Sequence, residues 1–416
     1  MPKAKQELPA GFSAAGLHCG IKASGAKDLA LITADAPCAA AGTFTTNQFA
    51  AAPVQVCKEH LRDGRARAIV ASSGAANAAT GDEGLRNARQ MAESAAEAIG
   101  CEPEEVLVCS TGRIGVQLPM DRIASGIQQA AARLAPDGWA DAAEAIMTTD
   151  TVPKTAHAAV DVDGDTVRLA GMAKGAGMIC PHMATMLCFI VTDAAVEPPA
   201  LQQALRSAVH QSFNRITVDG DMSTNDTVLI LANGAAGGQA IAGESPAFAA
   251  FQDALTDLCV DLAKQIVRDG EGATRTIAVR VCGACTEADA HRIAKAIANS
   301  PLVKTAVYGR GFNWGRIAAA AGSAGVPLDP RKATIAIGGI VGYDRGQPVE
   351  DPGPMAAAAF EGDEVLIEVD LGAGEAEATV WGTDLTEDYV RINAEYPTQG
   401  APAAPIRQQP ESGGLT

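Results

Sequence analysis

The chain has 416 residues, with 32 basic against 49 acidic side chains and a net charge of −17, which argues against a nucleic-acid or anionic-membrane partner, where Lys and Arg would cluster. Apolar residues make up 47% and charged ones 19%, enough to bury a large core over two to three domains at roughly 150 residues each, or one large one. Aromatics are only 4% beside 43 glycines, so the core must come from Ala, Val, Leu and Ile with backbones packed closely, and RNA platforms of stacked aromatics are not supported.

In chain order, short β-like runs alternate with helical ones, the grammar of an α/β fold. Leu29 to Thr33, Ala68 to Ser72 and Val106 to Cys109 read as strands. Leu85 to Ile99 reads as an Ala-rich helix ended by Gly100. Ile123 to Leu134 and Asp137 to Met147 are two further helices. Ala158 to Val162 and Val167 to Ala170 flank Asp163-Gly164-Asp165, a hairpin signal. A Gly-rich loop then leads to a buried strand, Met186 to Val191. Beyond it, Leu201 to Val209 is helical and Val228 to Ala232 is a strand. Phe251, Leu255, Leu258, Leu262 and Ile266 step along one helix face. Ile277 to Val281 predicts a strand, Ala288 to Ala298 a helix, and Val303 to Tyr308, Thr334 to Ile337, Val365 to Val369 and Ala378 to Trp381 predict strands. The tail 399–416, rich in Pro, Gln and Gly, predicts disorder.

No apolar stretch reaches the roughly 18 residues that a bilayer demands. The start, MPKAKQELPAGFSAAG, has no signal pattern, so a cytoplasmic location is expected. Ten cysteines are too sparse for a disulfide scaffold. Cys19, Cys38, Cys57, Cys101, Cys109 and Cys259 read as small core residues. Cys282-Gly283-Ala284-Cys285 lacks a second CxxC or a His pair, so no metal is expected. There is no phosphate-binding loop or dinucleotide fingerprint, and no cofactor is implied.

The densest unusual segment is Lys174-Gly175-Ala176-Gly177-Met178-Ile179-Cys180-Pro181-His182-Met183-Ala184-Thr185. Its plain reading is a turn into a core strand, with Thr185 as a β-branched strand residue. A chemical reading needs a base beside the weak threonine nucleophile. Cutting the chain before Thr185 would supply one, because the freed α-amine, with a pKa of about 7.7–8.0, can take the hydroxyl proton.

This segment resembles the self-processing site of the ornithine acetyltransferase family, also called glutamate N-acetyltransferase, of cyclic arginine biosynthesis. The resemblance runs from about Gly11 to Thr398. It includes Gly11-Phe12-Ser13-Ala14-Ala15-Gly16, Ser110-Thr111-Gly112, Ser212-Phe213-Asn214-Arg215-Ile216-Thr217-Val218-Asp219, Ser223-Thr224-Asn225-Asp226, Gly270-Glu271-Gly272-Ala273-Thr274, Asn313-Trp314-Gly315-Arg316 and Asn393-Ala394. It implies a mixed-sheet α/β fold of the self-processing N-terminal-threonine-nucleophile, aminopeptidase-like type. It implies cleavage of Ala184–Thr185 into an alpha chain 1–184 and a beta chain 185–398 that includes a second α/β lobe, assembled as (αβ)2. Thr185 would be the nucleophile and Thr111 and Gly112 the oxyanion hole. Thr151, Lys174, Thr185, Glu271, Asn393 and Thr398 would bind substrate. The implied reaction passes an acetyl group from N2-acetylornithine through Thr185 to glutamate. Use of acetyl-CoA as a second donor stays open, since no signature for it is found. Lys174 suits an α-carboxylate, and by charge Glu271 suits the ornithine amine.

Several positions depart from the family pattern. Ser73-Gly74-Ala75-Ala76-Asn77-Ala78 lacks a usual first Asn, Arg113 follows the oxyanion pair, His182 follows Pro181, Met222 replaces a Thr, and Arg310 stands where an acid is common. Arg113 would either bind a different acyl donor or point to solvent. The other readings are an amidohydrolase or aminopeptidase with water as acceptor, an acetyltransferase of shifted specificity, and a non-catalytic homologue that never cleaves.

Overall fold

A computed structural model of the chain describes residues 8–180, 186–350 and 353–395. Thr185, Ala184, His182, Thr398 and the tail 399–416 therefore lie outside the described residues.

The chain opens with Phe12–Leu17 (β1) and Leu29–Phe44 (β2). Helix Ala52–His60 (α1) leads to Arg65–Ala75 (β3), and helix Gly81–Ile99 (α2) leads to Val106–Arg113 (β4). Helices Met120–Ala131 (α3) and Trp139–Ala145 (α4) precede the hairpin Lys154–Val162 (β5) and Asp165–Lys174 (β6). Its turn has Asp163 at φ 54° and Gly164 at φ 93°, the two left-handed residues that a tight hairpin demands. Then follow Leu187–Thr192 (β7), Pro198–Gln211 (α5), Thr227–Ala232 (β8) and Pro246–Arg268 (α6). The remainder is Thr276–Ala284 (β9), Glu287–Ala298 (α7), Pro301–Tyr308 (α8), Trp314–Gly322 (α9), Thr334–Ile337 (β10), Ile340–Asp344 (β11), Gln347–Pro348 (β12), Glu364–Asp370 (β13), Ala376–Thr383 (β14) and Glu387–Glu395 (α10).

Two mixed sheets packed with helices result, as expected. The first is eight-stranded, in the order β4-β3-β2-β8-β7-β6-β5, with β1 paired to β2. The long β2 serves three neighbours: Leu29 to Thr33 pair with β3 on one side and β1 on the other, and Ala39 to Phe44 pair with β8. The adjacent pair β7 and β8 runs parallel and every residue in it is buried. That explains the uninterrupted apolar runs, because a strand covered on both faces has no solvent side to alternate with. Leu187, Phe189 and Val191 point into a core with α2, α3 and α4. Cys188 and Ile190 point into a second core with α5 and α6. The second sheet, β12-β11-β10-β13-β9-β14, packs a third core against α7, α8 and α9.

The predicted face of α6 is buried throughout, at Phe251, Leu255, Leu258, Leu262 and Ile266. Ser245 starts the helix by accepting from the Phe248 amide at 3.0 Å, with Pro246 behind it. The expected close backbone packing is present: a methyl at Gly16 would lie 2.0 Å from the Asp141 carbonyl oxygen.

One expectation is overturned. Val303 to Tyr308 is not a strand but most of helix α8. Ser300 caps it by accepting from the Val303 amide, and Pro301 presets its first turn. Val303 and Val307, four apart, are its buried face. The valines suggested a strand, but the Ser-Pro start and the spacing of four decide for a helix. Four of the expected core cysteines, Cys38, Cys57, Cys109 and Cys259, are buried, while Cys19 and Cys101 are only partly so. No helix among the described residues is long and apolar enough to cross a membrane.

Candidate active site

β4 and β6 have four strands between them in the first sheet, yet side chains from their C-terminal ends touch. Thr111 is buried near the end of β4, and Lys174 is the buried last residue of β6. The Lys174 Nζ donates to Thr111 Oγ1 at 3.4 Å. Gly112 follows at φ 128°, and a methyl on it would lie 2.4 Å from the Gly74 carbonyl carbon. Only glycine permits both that backbone and that approach of β4 to β3. Asn225 fixes the strand end further. Its side-chain amide donates to Ser110 O at 2.8 Å and Ala76 O at 2.6 Å. Holding the Ser110 carbonyl fixes the plane of the peptide that carries the Thr111 N–H.

A buried charge network supports Lys174. Asp150 Oδ2 lies 3.9 Å from its Nζ, and Asp150 Oδ1 accepts from Lys154 Nζ at 2.7 Å and from the Gly175 amide at 2.6 Å. Lys154, fully buried, also donates to Asp269 Oδ2 at 2.5 Å. Asp269 in turn accepts from both the amide and the hydroxyl of Thr151. Burial alone would raise the Asp150 carboxyl, but the charges of Lys174 and Lys154 and the bonds it accepts hold it at about 2. For Lys174, burial pulls the ammonium below the ordinary lysine value, opposed by the Asp150 charge.

Glu271 closes another side. Its amide donates to Ala176 O at 2.8 Å, and Asn393 Nδ2 of α10 donates to its Oε2 at 2.9 Å. A methyl on Gly177 would lie 2.4 Å from the Glu271 carboxyl carbon, so the carboxylate rests on that glycine. The charge of Glu271 is also felt at Lys174. The loop after β6 is pinned by Asp219, whose carboxylate accepts from the Met178 amide at 2.6 Å and the Ile179 amide at 2.8 Å. Across the undescribed stretch the chain returns at Met186, whose amide donates to Asp226 Oδ1 at 3.0 Å.

The sequence-predicted residues thus fall into three linked groups. Thr111 and Gly112 adjoin Lys174; Thr151 reaches Lys174 through Asp269, Lys154 and Asp150; Glu271 holds Asn393. Arg113 is exposed at the end of β4, the solvent-facing one of its two alternatives. Sequence reasoning missed Asp150, Lys154 and Asp269 altogether. It quoted Asp219, Asn225 and Asp226 in motifs without giving them roles. A signal existed for some of these: Asp150 and Asp269 each stand within two residues of a named position, Thr151 or Glu271. Among the described residues no group of His, Cys, Asp and Glu is arranged to hold a metal. The arrangement offers a buried ammonium, a hydroxyl and backbone amides close together, the components of anion and oxyanion stabilisation.

A family model described as the ArgJ family matches residues 13–398. The arginine biosynthesis bifunctional protein ArgJ of Symbiobacterium thermophilum is 54% identical over 392 residues, which is 94% of this chain and 98% of the relative. The protein of that name from Bacillus subtilis is 45% identical over 391 residues, covering 94% and 96%. A crystal structure of arginine biosynthesis bifunctional protein argJ from Bacillus halodurans is 47% identical, with a TM-score of 0.49, over 50% of this chain and 98% of that one.

Proposed function

The chain belongs to the ArgJ family, the ornithine acetyltransferase family of arginine biosynthesis, and from that premise we propose that it transfers an acetyl group from N2-acetylornithine to glutamate. Thr185 is the nucleophile, released as a new N-terminus by cleavage of Ala184–Thr185. Its hydroxyl attacks the acetyl carbonyl, the α-amine of the same residue takes the proton, ornithine leaves, and glutamate collects the acetyl group from the ester. The observation that carries this reading is the contact of Lys174 Nζ with Thr111 Oγ1 at the mouth of β4. With its acceptor side filled by the ammonium, the Thr111 hydroxyl keeps its hydrogen for an oxyanion. The Gly112 amide is the second donor. Lys174 pairs with the α-carboxylate that acetylornithine and glutamate share. Glu271, steadied by Asn393, receives the ornithine amine, and Thr151 and Thr398 complete the substrate contacts. The working assembly is (αβ)2, built from fragments 1–184 and 185–416 of one precursor in the cytoplasm. Acetyl-CoA is a second acetyl donor in this reading, in keeping with the bifunctional label that the relatives carry.

The test has two parts. A denaturing gel with N-terminal sequencing should show two fragments, the second beginning at Thr185, and Thr185→Ala should abolish both cleavage and transfer. A single full-length band from active protein sinks the mechanism. Acetyl-labelled N2-acetylornithine should pass its label to glutamate without acetyl-CoA, and labelled acetyl-CoA should do the same in a parallel reaction. Label appearing only in acetate would establish a hydrolase instead.

A further inference from the structure

Lys304 is a buried lysine of α8 that the acetyl-transfer scheme leaves unused. Its Nζ donates to acceptors on two separate strips of chain. One is the Val218 carbonyl, and the other is Thr383 Oγ1, in the last residue of β14, at 3.1 Å. The Thr383 hydroxyl in turn donates to the same Val218 carbonyl at 3.4 Å. The carboxylates whose charge Lys304 feels come one from each strip, Asp219 and Asp384, and the Cys180 thiol is the third titratable group that acts on it. A buried ammonium is costly unless its donors and its charge are met, and here both strips are needed to meet them.

The same two strips hold the turn that carries Glu271. Gly270 packs against both at once: a methyl there would lie 2.8 Å from Thr383 Cγ2 and 3.3 Å from Val218 Cγ2. On the first strip, the Val218 amide donates to Ile179 O at 2.7 Å, and Asp219 accepts from the Met178 and Ile179 amides. Those residues follow Gly177, on which the Glu271 carboxylate rests. On the second strip, Asp384 accepts from the Thr274 amide at 2.9 Å and the Arg275 amide at 3.2 Å, and Thr386 Oγ1 donates to Gly272 O at 2.7 Å. Tyr389 Oη ties the strips a second time, to Asp219 Oδ2 at 3.3 Å.

We propose that Lys304 is a positioning residue for the acetyl donor: by clamping Val218 to Thr383 it sets where the Glu271 carboxylate stands. The inference rests on the reading of Glu271 as the group that receives the ornithine amine. Lys304 acts through Gly270 and Glu271, so its loss should weaken recognition of the side-chain amine and spare the acetyl-transfer step. The clamp also has a pH limit. Burial holds the Lys304 ammonium down to about 8, with the charges of Asp219 and Asp384 opposing the fall. The charged clamp is therefore present below that pH and lost above it, when charge-assisted bonds become ordinary ones.

The experiment is steady-state acetyl transfer by the purified full enzyme from about pH 6.5 to 9.5, with both substrates varied, for the wild type, Lys304→Met, Glu271→Gln and the double variant. At neutral pH, Lys304→Met should raise KM for N2-acetylornithine about tenfold with kcat little changed. KM for glutamate, which has no side-chain amine, should not rise. In the Glu271→Gln background the same change should add less than about twofold, because the clamp works through that carboxylate. The wild-type KM for N2-acetylornithine should climb as pH passes about 8, and the Lys304→Met value should lack that step. Circular dichroism reports whether the variant folds. If it does not, the wild-type profile decides alone, and a KM that stays level across that pH overturns the proposal. An unchanged KM in folded Lys304→Met overturns it too. So does an equal rise for glutamate, or a full tenfold loss in the Glu271→Gln background, since either marks general loosening. A wild type that transfers no acetyl group, or a Glu271→Gln variant with unchanged KM for N2-acetylornithine, fails earlier, at the proposed function, and takes this inference with it.

Discussion

Lys154 is the residue on which the site's charges balance. It is fully buried and touches two carboxylates, Asp150 at 2.7 Å and Asp269 at 2.5 Å. Its partners then carry the effect outward, Asp150 to Lys174 and the Gly175 amide, Asp269 to Thr151. Removing one member of a buried ion pair strands the other and costs about 3–5 kcal/mol. Lys154→Met should therefore lower unfolding stability on that scale in a urea titration. The same network fixes a pH response. The Asp150 carboxyl is depressed in the folded chain to about 2, below its ordinary 3.8. Its contribution is thus fully present above the ordinary value and is lost as pH falls through the folded one. Stability of the wild type should drop between about pH 4 and 2 more steeply than that of Asp150→Asn, measured by denaturant midpoints at each pH. Little of this was legible in the sequence. Lys154 and Asp150 stand in no motif, and only their burial and the partnership with Asp269, 115 positions from Lys154, give them a role. Lys174, Glu271 and Asn393 stood out only through the motifs that carry them; residue-by-residue chemistry alone would have left Lys174 and Glu271 as exposed charges.

At the scale of elements, the strand ends decide what the site can do. β3 and β4 run parallel, and the crossing at Gly74 and Gly112 leaves no room for a side chain. Gly112→Ala must push the strands apart or force a left-handed alanine, at a cost of about 1–3 kcal/mol. It also swings the Thr111 hydroxyl and the Gly112 amide away. The expected outcome is a lower melting temperature together with at least a tenfold loss of both cleavage and transfer, read by gel and by label exchange. Retained transfer in a destabilised variant would mean that this hydroxyl and amide are not the oxyanion donors. Most elements could be read beforehand, because period and punctuation agreed: α6 has both its apolar stripe and a Ser-Pro start. α8 has the same start, but its eight residues are too few for the period to outweigh the valines. The length of β2 was also hidden. The sequence signals a strand only to Thr33, whereas the structure carries it to Phe44 past a register shift, because β8 arrives from nearly 190 residues later to pair with its second half.

For the whole molecule, the expected division at residue 184 crosses the architecture. Strands β1 to β6 come before it and β7 and β8 after it, yet all eight share one sheet. The later strands lie in the middle, with β8 bonded to β2 on one side and β7 bonded to β6 on the other. Two fragments produced by cleavage should therefore remain together through gel filtration and separate only in denaturant. Residues 1–184 and 185–416 expressed apart and then mixed should regain less than a tenth of the transfer activity of the cleaved precursor. Efficient reconstitution would show that the central strands can enter a preformed frame.

That interleaving sets a calendar for the molecule. The middle of the sheet is supplied by the last-made half of the chain, so its frame cannot close until synthesis has passed β8. Asn225, which fixes the Ser110 peptide, and Asp226, which holds the Met186 amide, arrive only then. A truncated or misfolded copy has no way to assemble these contacts around the bond before Thr185. Under the proposed self-cleavage, maturation would double as an inspection: a copy that had not folded correctly would never receive its nucleophile, and would stay inert.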